Sequence, residues 1–355
     1  MRGERPRLAL TLGDVAGIGP EVVARALTEG KLAEFCRPIV VGHPKLLQRA
    51  LALVKSNLEF DVVDGLDREF ESAIACWNPA GDDVLEVTPG QIQSAAGRAA
   101  NDYLVAATRA ALAGKVDAIV TAPLHKEALR LAGINCPGHT EILAAECGAR
   151  EVAMMLYLPP GLAVRGERGL GVAHVTLHTS IRSVPGLLSM PKIVDTIRLV
   201  DRFLRRLRRP EGCDSPVSPR VGVCALNPHA GEHGLFGDEE GRLIEPAVKQ
   251  TQSEGVDVHG PIPADALLRR AVAGEFDGVV AMYHDQGHIA LKLIGWDLAV
   301  NVTLGLPIVR TSPSHGTAFD IAGQGRARAD GFMSAARVAC QLVQSRRFQR
   351  ASPKQ

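Results

Sequence analysis

At 355 residues the chain has material for a large core or for two lobes, and 40 basic against 39 acidic residues leave a net charge of +1. That balance excludes a global field for nucleic acid or an anionic membrane, so an anionic ligand must be met by local charges. Seven scattered cysteines, never in a Cys-x-x-Cys pair, exclude a disulfide framework and a cysteine zinc site.

Met1–Pro6 leads into an apolar run without the apolar core and cleavage site of a signal peptide. No stretch reaches the roughly 20 apolar residues that span a bilayer, and the expected compartment is the cytoplasm. Apolar, β-rich runs at 8–12, 38–41, 118–121, 170–177, 221–226, 279–283 and 298–302 alternate with helical patterns. Among the latter are Pro20–Leu27, where proline suits a first turn, and Gly97–Ala113, where Tyr103, Leu104, Ala107 and Ala111 recur at helical spacing. The alternation predicts an α/β fold with a largely parallel sheet. Pro159–Gly171 and Arg205–Arg220 read as surface insertions, and the basic run in the second fits a solvated helix end better than nucleic acid.

Ligands of open α/β sheets gather at the carboxyl ends of the strands. The run 170–177 leads into His178, 221–226 into Asn227-Pro228-His229-Ala230-Gly231-Glu232, and 279–283 into His284-Asp285-Gln286-Gly287-His288. A single histidine is more often a hydrogen-bonded core or surface residue. Three at equivalent positions point instead to a divalent ion held by neutral imidazoles, with one coordination position left open.

The segment from Thr121-Ala122-Pro123-Leu124-His125-Lys126 to Cys136-Pro137-Gly138-His139-Thr140-Glu141 follows another predicted strand. Its His139 and Thr140 suit a substrate carboxylate or hydroxyl, and a capped helix beginning at Thr140 is the alternative. Lys292, Asn301 and Arg310 surround an apolar strand as partners for phosphate or carboxylate. The Gly-x-Gly-x-x-Gly fingerprint and the Walker loop are absent. Gly13–Glu21 offers amides for an anion at a helix start, or a structural turn. These patterns by themselves leave a hydrolase, an acyltransferase and a dehydrogenase open.

Taken together the motifs are recognisable over nearly the whole chain. TLGDVAGIGPE (11–21), TAPLHKEAL with PGHTE (121–141), NPHAGE (227–232), YHDQGH (283–288) and VNVTLGLPIVRTS (300–312) resemble the 4-hydroxythreonine-4-phosphate dehydrogenase family of pyridoxal phosphate biosynthesis. His315–Gly323 is similar to the adenine-side loop of isocitrate and isopropylmalate dehydrogenases. That likeness implies an α/β fold of two lobes with an active-site cleft between them. One lobe would span 1–125 with 305–355, carrying both termini and the nucleotide loop, and the other 126–304, with the metal ligands and a dimer interface.

The resemblance implies NAD or NADP, bound through His315, Gly316, Thr317, Asp320 and Gly323. It also implies one divalent ion (Zn, Co, Mn or Mg) on His178, His229 and His284, the last contributed by the second subunit of a homodimer. His139, Thr140, Lys292, Asn301 and Arg310 match substrate-binding positions, and His139, Lys126 and Asp285 are candidates for the general acid and base. The reaction implied is oxidation of a secondary alcohol followed by loss of CO₂ from the resulting β-keto acid. His174, the GHIALKL run (287–293) and TAFDIAG (317–323) are more similar to the branch acting on 4-phospho-D-threonate or 4-phospho-D-erythronate. A further relative oxidises carboxylated cis-dihydrodiols. Val15 stands where the family has Pro, and Ser314 where Asp precedes the His-Gly, a change bearing on nucleotide preference. A metal-dependent hydrolase without cofactor and a non-catalytic metabolite sensor are the rival readings.

Overall fold

The computed structural model describes residues 5–67, 73–161, 163–207 and 218–351. In chain order the strands are β1 (Arg7–Thr11), β2 (Arg37–Val41), β3 (Asp61–Val63), β4 (Ala75–Trp77), β5 (Ala118–Thr121), β6 (Ala153–Leu158), β7 (Leu170–His174), β8 (Val221–Cys224), β9 (Val258–Ile262), β10 (Gly278–Ala281), β11 (Val300–Leu304) and β12 (Arg310–Pro313). The α-helices are α1 (Gly19–Thr28), α2 (Pro44–Leu53), α3 (Ser94–Leu112), α4 (Lys126–Leu131), α5 (His139–Cys147), α6 (Val184–Leu187), α7 (Met190–Arg206), α8 (Glu245–Ser253), α9 (Ala264–Val272), α10 (His284–Gly295) and α11 (Asp330–Ala351). The chain forms two compact units, 1–152 with 306–355 and 153–305. Among the described residues no helix is long and apolar enough to cross a membrane.

In the first unit the strands run β3-β4-β2-β1-β5-β12, all parallel, with Leu8 opposite Ala118 and Arg310 opposite Ile119. Leu8–Thr11 and Ala118–Thr121 are buried throughout, as a parallel strand covered on both faces requires. Proline in the first turn starts α1, and α3 packs against α4 and α5, fixing where Lys126 and His139 begin their helices.

In the second unit the order is β11-β6-β7-β10-β8-β9, with β6 antiparallel to both neighbours. The described link between β6 and β7 holds no helix, so the chain returns antiparallel instead of crossing over. That link is not simply the surface insertion its composition predicts. Val164 is buried, as is Arg168, whose carbonyl accepts the Tyr157 hydroxyl at 2.7 Å. Most of the second expected insertion, 208–217, lies outside the described residues. The strand predicted to reach Leu177 stops at His174, because Val175 and Thr176 leave the ladder to follow the turn after β10, donating to the carbonyls of Ala281 and Met282.

Candidate functional site

The first unit gathers its polar groups around the ends of β1, β5 and β12. Arg310 opens β12 and is 2 % exposed, and its Nη2 donates to the Thr121 hydroxyl at 2.6 Å. Burial pushes its pKa down to about 9, the signature of a cation held where an anion interacts strongly. His139 begins α5 and keeps some exposed surface, yet its ring is enclosed by protein atoms. That enclosure, reinforced by the Arg310 charge and opposed by a hydrogen bond with the Ala122 backbone, holds its pKa well below the usual histidine value. His139 is therefore a neutral imidazole beside a buried guanidinium. Thr140 follows it, half-buried, in the first turn. Lys126, exposed at the start of α4, runs close by: its Cε lies 3.9 Å from where a β-carbon on Gly138 would stand.

The loop 314–323 docks on the loop after β1, where the Ile18 amide donates to the Thr317 carbonyl at 2.9 Å. His315 has Nδ1 3.0 Å from the Gly316 carbonyl and a buried Nε2 without a hydrogen-bond partner, and burial lowers its pKa. Gly316 and Asp320 are exposed, while Ala318 and Gly323 take positive φ of 43° and 73°. Two neighbours escaped the sequence reading. His125 stacks on Phe319 with centroids 4.9 Å apart, and Asp14 is buried, its Oδ1 accepting the Ala16 amide at 2.9 Å and its Oδ2 without a partner.

Burial raises the Asp14 pKa to about 6, against hydrogen bonding to Ala16 and the His125 charge. Between pH 3.8 and about 6 the folded chain therefore holds a proton that the unfolded chain has released, so stability falls as pH rises through that window. Asp14→Asn keeps the acceptor for Ala16. The stability of the wild type relative to this variant should drop by about 2.4 kcal/mol from pH 4 to pH 7, read by urea unfolding at both values. A constant difference would refute an unpaired, buried carboxyl.

The second unit builds a histidine cluster. His174 ends β7, and its Nε2 lies 3.1 Å from Nδ1 of His288; the His288 ring stacks on His284 at 3.7 Å, and His284 stands 5.7 Å from His178. The spacing His284-x-x-x-His288 puts both on one face of α10, a signal present in the sequence and passed over there. Gly287 lets α10 approach, since a β-carbon there would lie 2.6 Å from His174 Nε2. Burial above all, with the neighbouring imidazoles adding to it, lowers the pKa of His174 to about 4 and of His288 to about 3. Asp285 Oδ1 sits 2.6 Å from His284 Nδ1, the carboxylate–imidazole arrangement that orients a metal-ligating histidine.

His229 is not part of this cluster, and no group of three or more His, Cys, Asp or Glu side chains placed to hold an ion occurs among the described residues. The donor chemistry of His178, His284 and Asp285 nonetheless fits a divalent cation: adjacent imidazoles, one oriented by a carboxylate, with further positions free for other donors. His229 lies exposed on the turn Pro228–Gly234, where His229, Ala230, Gly231, Glu232 and His233 all have positive φ. Left-handed backbone costs a non-glycine residue about 1–2 kcal/mol, and such strain concentrates at functional positions. Of the remaining expected substrate residues, Lys292 rests its ammonium over the Trp296 ring at 4.9 Å, and Asn301 on β11 has a buried Oδ1 without a hydrogen-bond partner.

Comparison with known proteins identifies the family. The model of the family described as pyridoxal phosphate biosynthetic protein PdxA matches residues 34–339. The chain is 42% identical to a 4-hydroxythreonine-4-phosphate dehydrogenase of Geobacter metallireducens over 97% of each protein. It is also 42% identical to a D-threonate 4-phosphate dehydrogenase of Pectobacterium atrosepticum, over 95% of this chain and 99% of that one. A solved 4-hydroxythreonine-4-phosphate dehydrogenase from Klebsiella pneumoniae superposes with a TM-score of 0.81 at 42% identity, covering 95% of this chain and 99% of its own. The chain therefore belongs to the PdxA family of pyridoxal phosphate biosynthesis and is an oxidoreductase acting on a CH–OH group.

Proposed function

We propose that the chain oxidises the secondary alcohol of a small phosphorylated hydroxy acid, 4-hydroxythreonine 4-phosphate or 4-phospho-D-threonate/erythronate, with NAD or NADP, and that the β-keto acid formed loses CO₂. The observation that carries this reading is the buried Arg310 beside neutral His139. A guanidinium in low dielectric binds a phosphate or carboxylate strongly and excludes uncharged analogues. His139 and Thr140 then hold the substrate's polar groups, and neutral His139 accepts the alcohol proton, with Lys126 and Asp285 the other acid–base candidates. Asn301 Oδ1 and Lys292 complete the substrate set, Lys292 by leaving the Trp296 face. His315, Gly316, Thr317, Asp320 and Gly323 take the nucleotide, whose nicotinamide receives the hydride.

His178, His229 and His284 are the proposed ligands of one divalent ion, whether Zn, Co, Mn or Mg. When bound, the ion supplies positive charge that eases loss of the alcohol proton and offsets the charge left by decarboxylation. Within one chain His178 and His284 are neighbours while His229 stands apart, so a homodimer that completes the set would bring in His229 from the second subunit, where the resemblance implies His284. Ile289, Leu293 and Trp296 on and just after the helix carrying His284 are 57%, 84% and 59% exposed, an apolar stripe suited to a second copy.

The test is a substrate panel with both nucleotides, following CO₂ and reduced nucleotide together. The reading expects both products in equal amounts from at least one phosphorylated hydroxy acid. Turnover confined to a carboxylated cis-dihydrodiol, or hydrolysis without nucleotide binding, would overturn it.

A further inference from the structure

The turn that carries His229 is held by a side chain to which neither the motifs nor the proposed reaction give a role. Its entry lies just after β8, where the amides of Leu226 and Asn227 both donate to Glu240 Oε1 at 2.8 Å. The Asn227 side-chain amide donates to Glu240 Oε2 at 3.0 Å and to Glu239 Oε2 at 2.8 Å. Glu240 is 4% exposed, whereas His229 on the other side of the turn is exposed. Gly231, with φ of 78°, is buried directly over this carboxylate: a β-carbon there would meet Oε2 at 2.7 Å. The far side closes on itself through Phe236 N–H to Gly231 O and Leu235 N–H to Glu232 O.

A buried carboxylate thus occupies the inside of a strained left-handed turn while the imidazole points outward. Five successive residues with positive φ do not persist unless their surroundings over-determine them. The carboxylate is the group that does so here: its three hydrogen bonds, all from Leu226 and Asn227, fix the entry of the turn, and its Oε2 packs under Gly231. It stands at the start of the helical segment Glu240–Ile244 that continues into α8, so the clamp is anchored on a rigid element.

We propose that Glu240 is a positioning residue that sets the left-handed turn and so presents the His229 imidazole for coordination. Its link to the ion rests on the reading of His229 as a ligand; its link to the turn does not.

Two measurements on the metal-free full-length protein test it, using Glu240→Ala, Glu240→Gln and His229→Ala. Hydrogen–deuterium exchange of residues 226–236 should rise at least tenfold in Glu240→Ala and less in Glu240→Gln, which keeps an acceptor for the two amides, with exchange elsewhere unchanged. Calorimetric titration with Mn²⁺ should show affinity falling tenfold or more in Glu240→Ala, approaching the loss in His229→Ala, with Glu240→Gln intermediate. Wild-type exchange in both Glu240 variants overturns the proposal. So does loss of Mn²⁺ binding in His229→Ala alongside wild-type affinity in both Glu240 variants. Wild-type Mn²⁺ binding in His229→Ala removes His229 from the ligand set instead, and the exchange result then decides the role of Glu240. Should Glu240→Ala fail to fold, Glu240→Gln carries both measurements.

Discussion

Replacing Arg310 with alanine is expected to lower kcat/KM for a phosphorylated hydroxy acid about a thousandfold, the equivalent of roughly 4 kcal/mol. The size follows from burial: Arg310 is 2% exposed and bonded to Thr121, so an anion bound there is desolvated and has no water to replace the lost guanidinium. An unphosphorylated analogue should lose far less, and an equal loss for both substrates would remove the phosphate role. A second consequence separates this from general damage. The Arg310 charge helps to hold the His139 pKa down, so the variant should raise that pKa. The acid limb of the pH–rate profile would then move to higher pH, since a neutral His139 is required and is now protonated over a wider range. Arg310→Lys restores the charge but not the fork and should recover only part of the rate.

His284→Ala is expected to remove bound divalent metal and reduce nucleotide reduction by three orders of magnitude or more. Metal content after gel filtration and the initial rate are the two readings. Full metal content with normal turnover would end the ligand assignment. Asp285→Asn leaves the imidazole in place while weakening its orientation at Nδ1, and should cost about 10–100-fold in metal affinity. Because His284 also stacks on His288, the melting temperature of the metal-free variant needs to be measured alongside, so that loss of packing is not mistaken for loss of a ligand.

Most of the α/β alternation was legible because buried parallel strands are short, continuous apolar runs: Ala118–Thr121 coincides with its prediction, and β1, β2, β8 and β10 differ by a few residues at their ends. Strands lacking that signature were missed, and so was β6, which carries it as Ala-Met-Met-Leu-Tyr-Leu. β3 reads Asp-Val-Val with a partly exposed pattern, β9 contains Gly-Pro, and β12 reads Arg-Thr-Ser-Pro, polar yet wholly buried. Their placement depends on neighbours that composition does not reveal.

By itself the sequence determined the family, the α/β class and the residues to examine, since motifs such as YHDQGH and PGHTE are local and survive in one dimension. Only the tertiary structure decided which of those residues meet. It set Arg310 against Thr121 and His139 across 189 and 171 positions of chain, stacked His288 on His284 with His174 behind them, and folded Glu240 under a turn thirteen residues earlier. The reason is physical: hydrogen bonding, desolvation and charge act through space over a few ångströms, and separation along the chain does not report that distance.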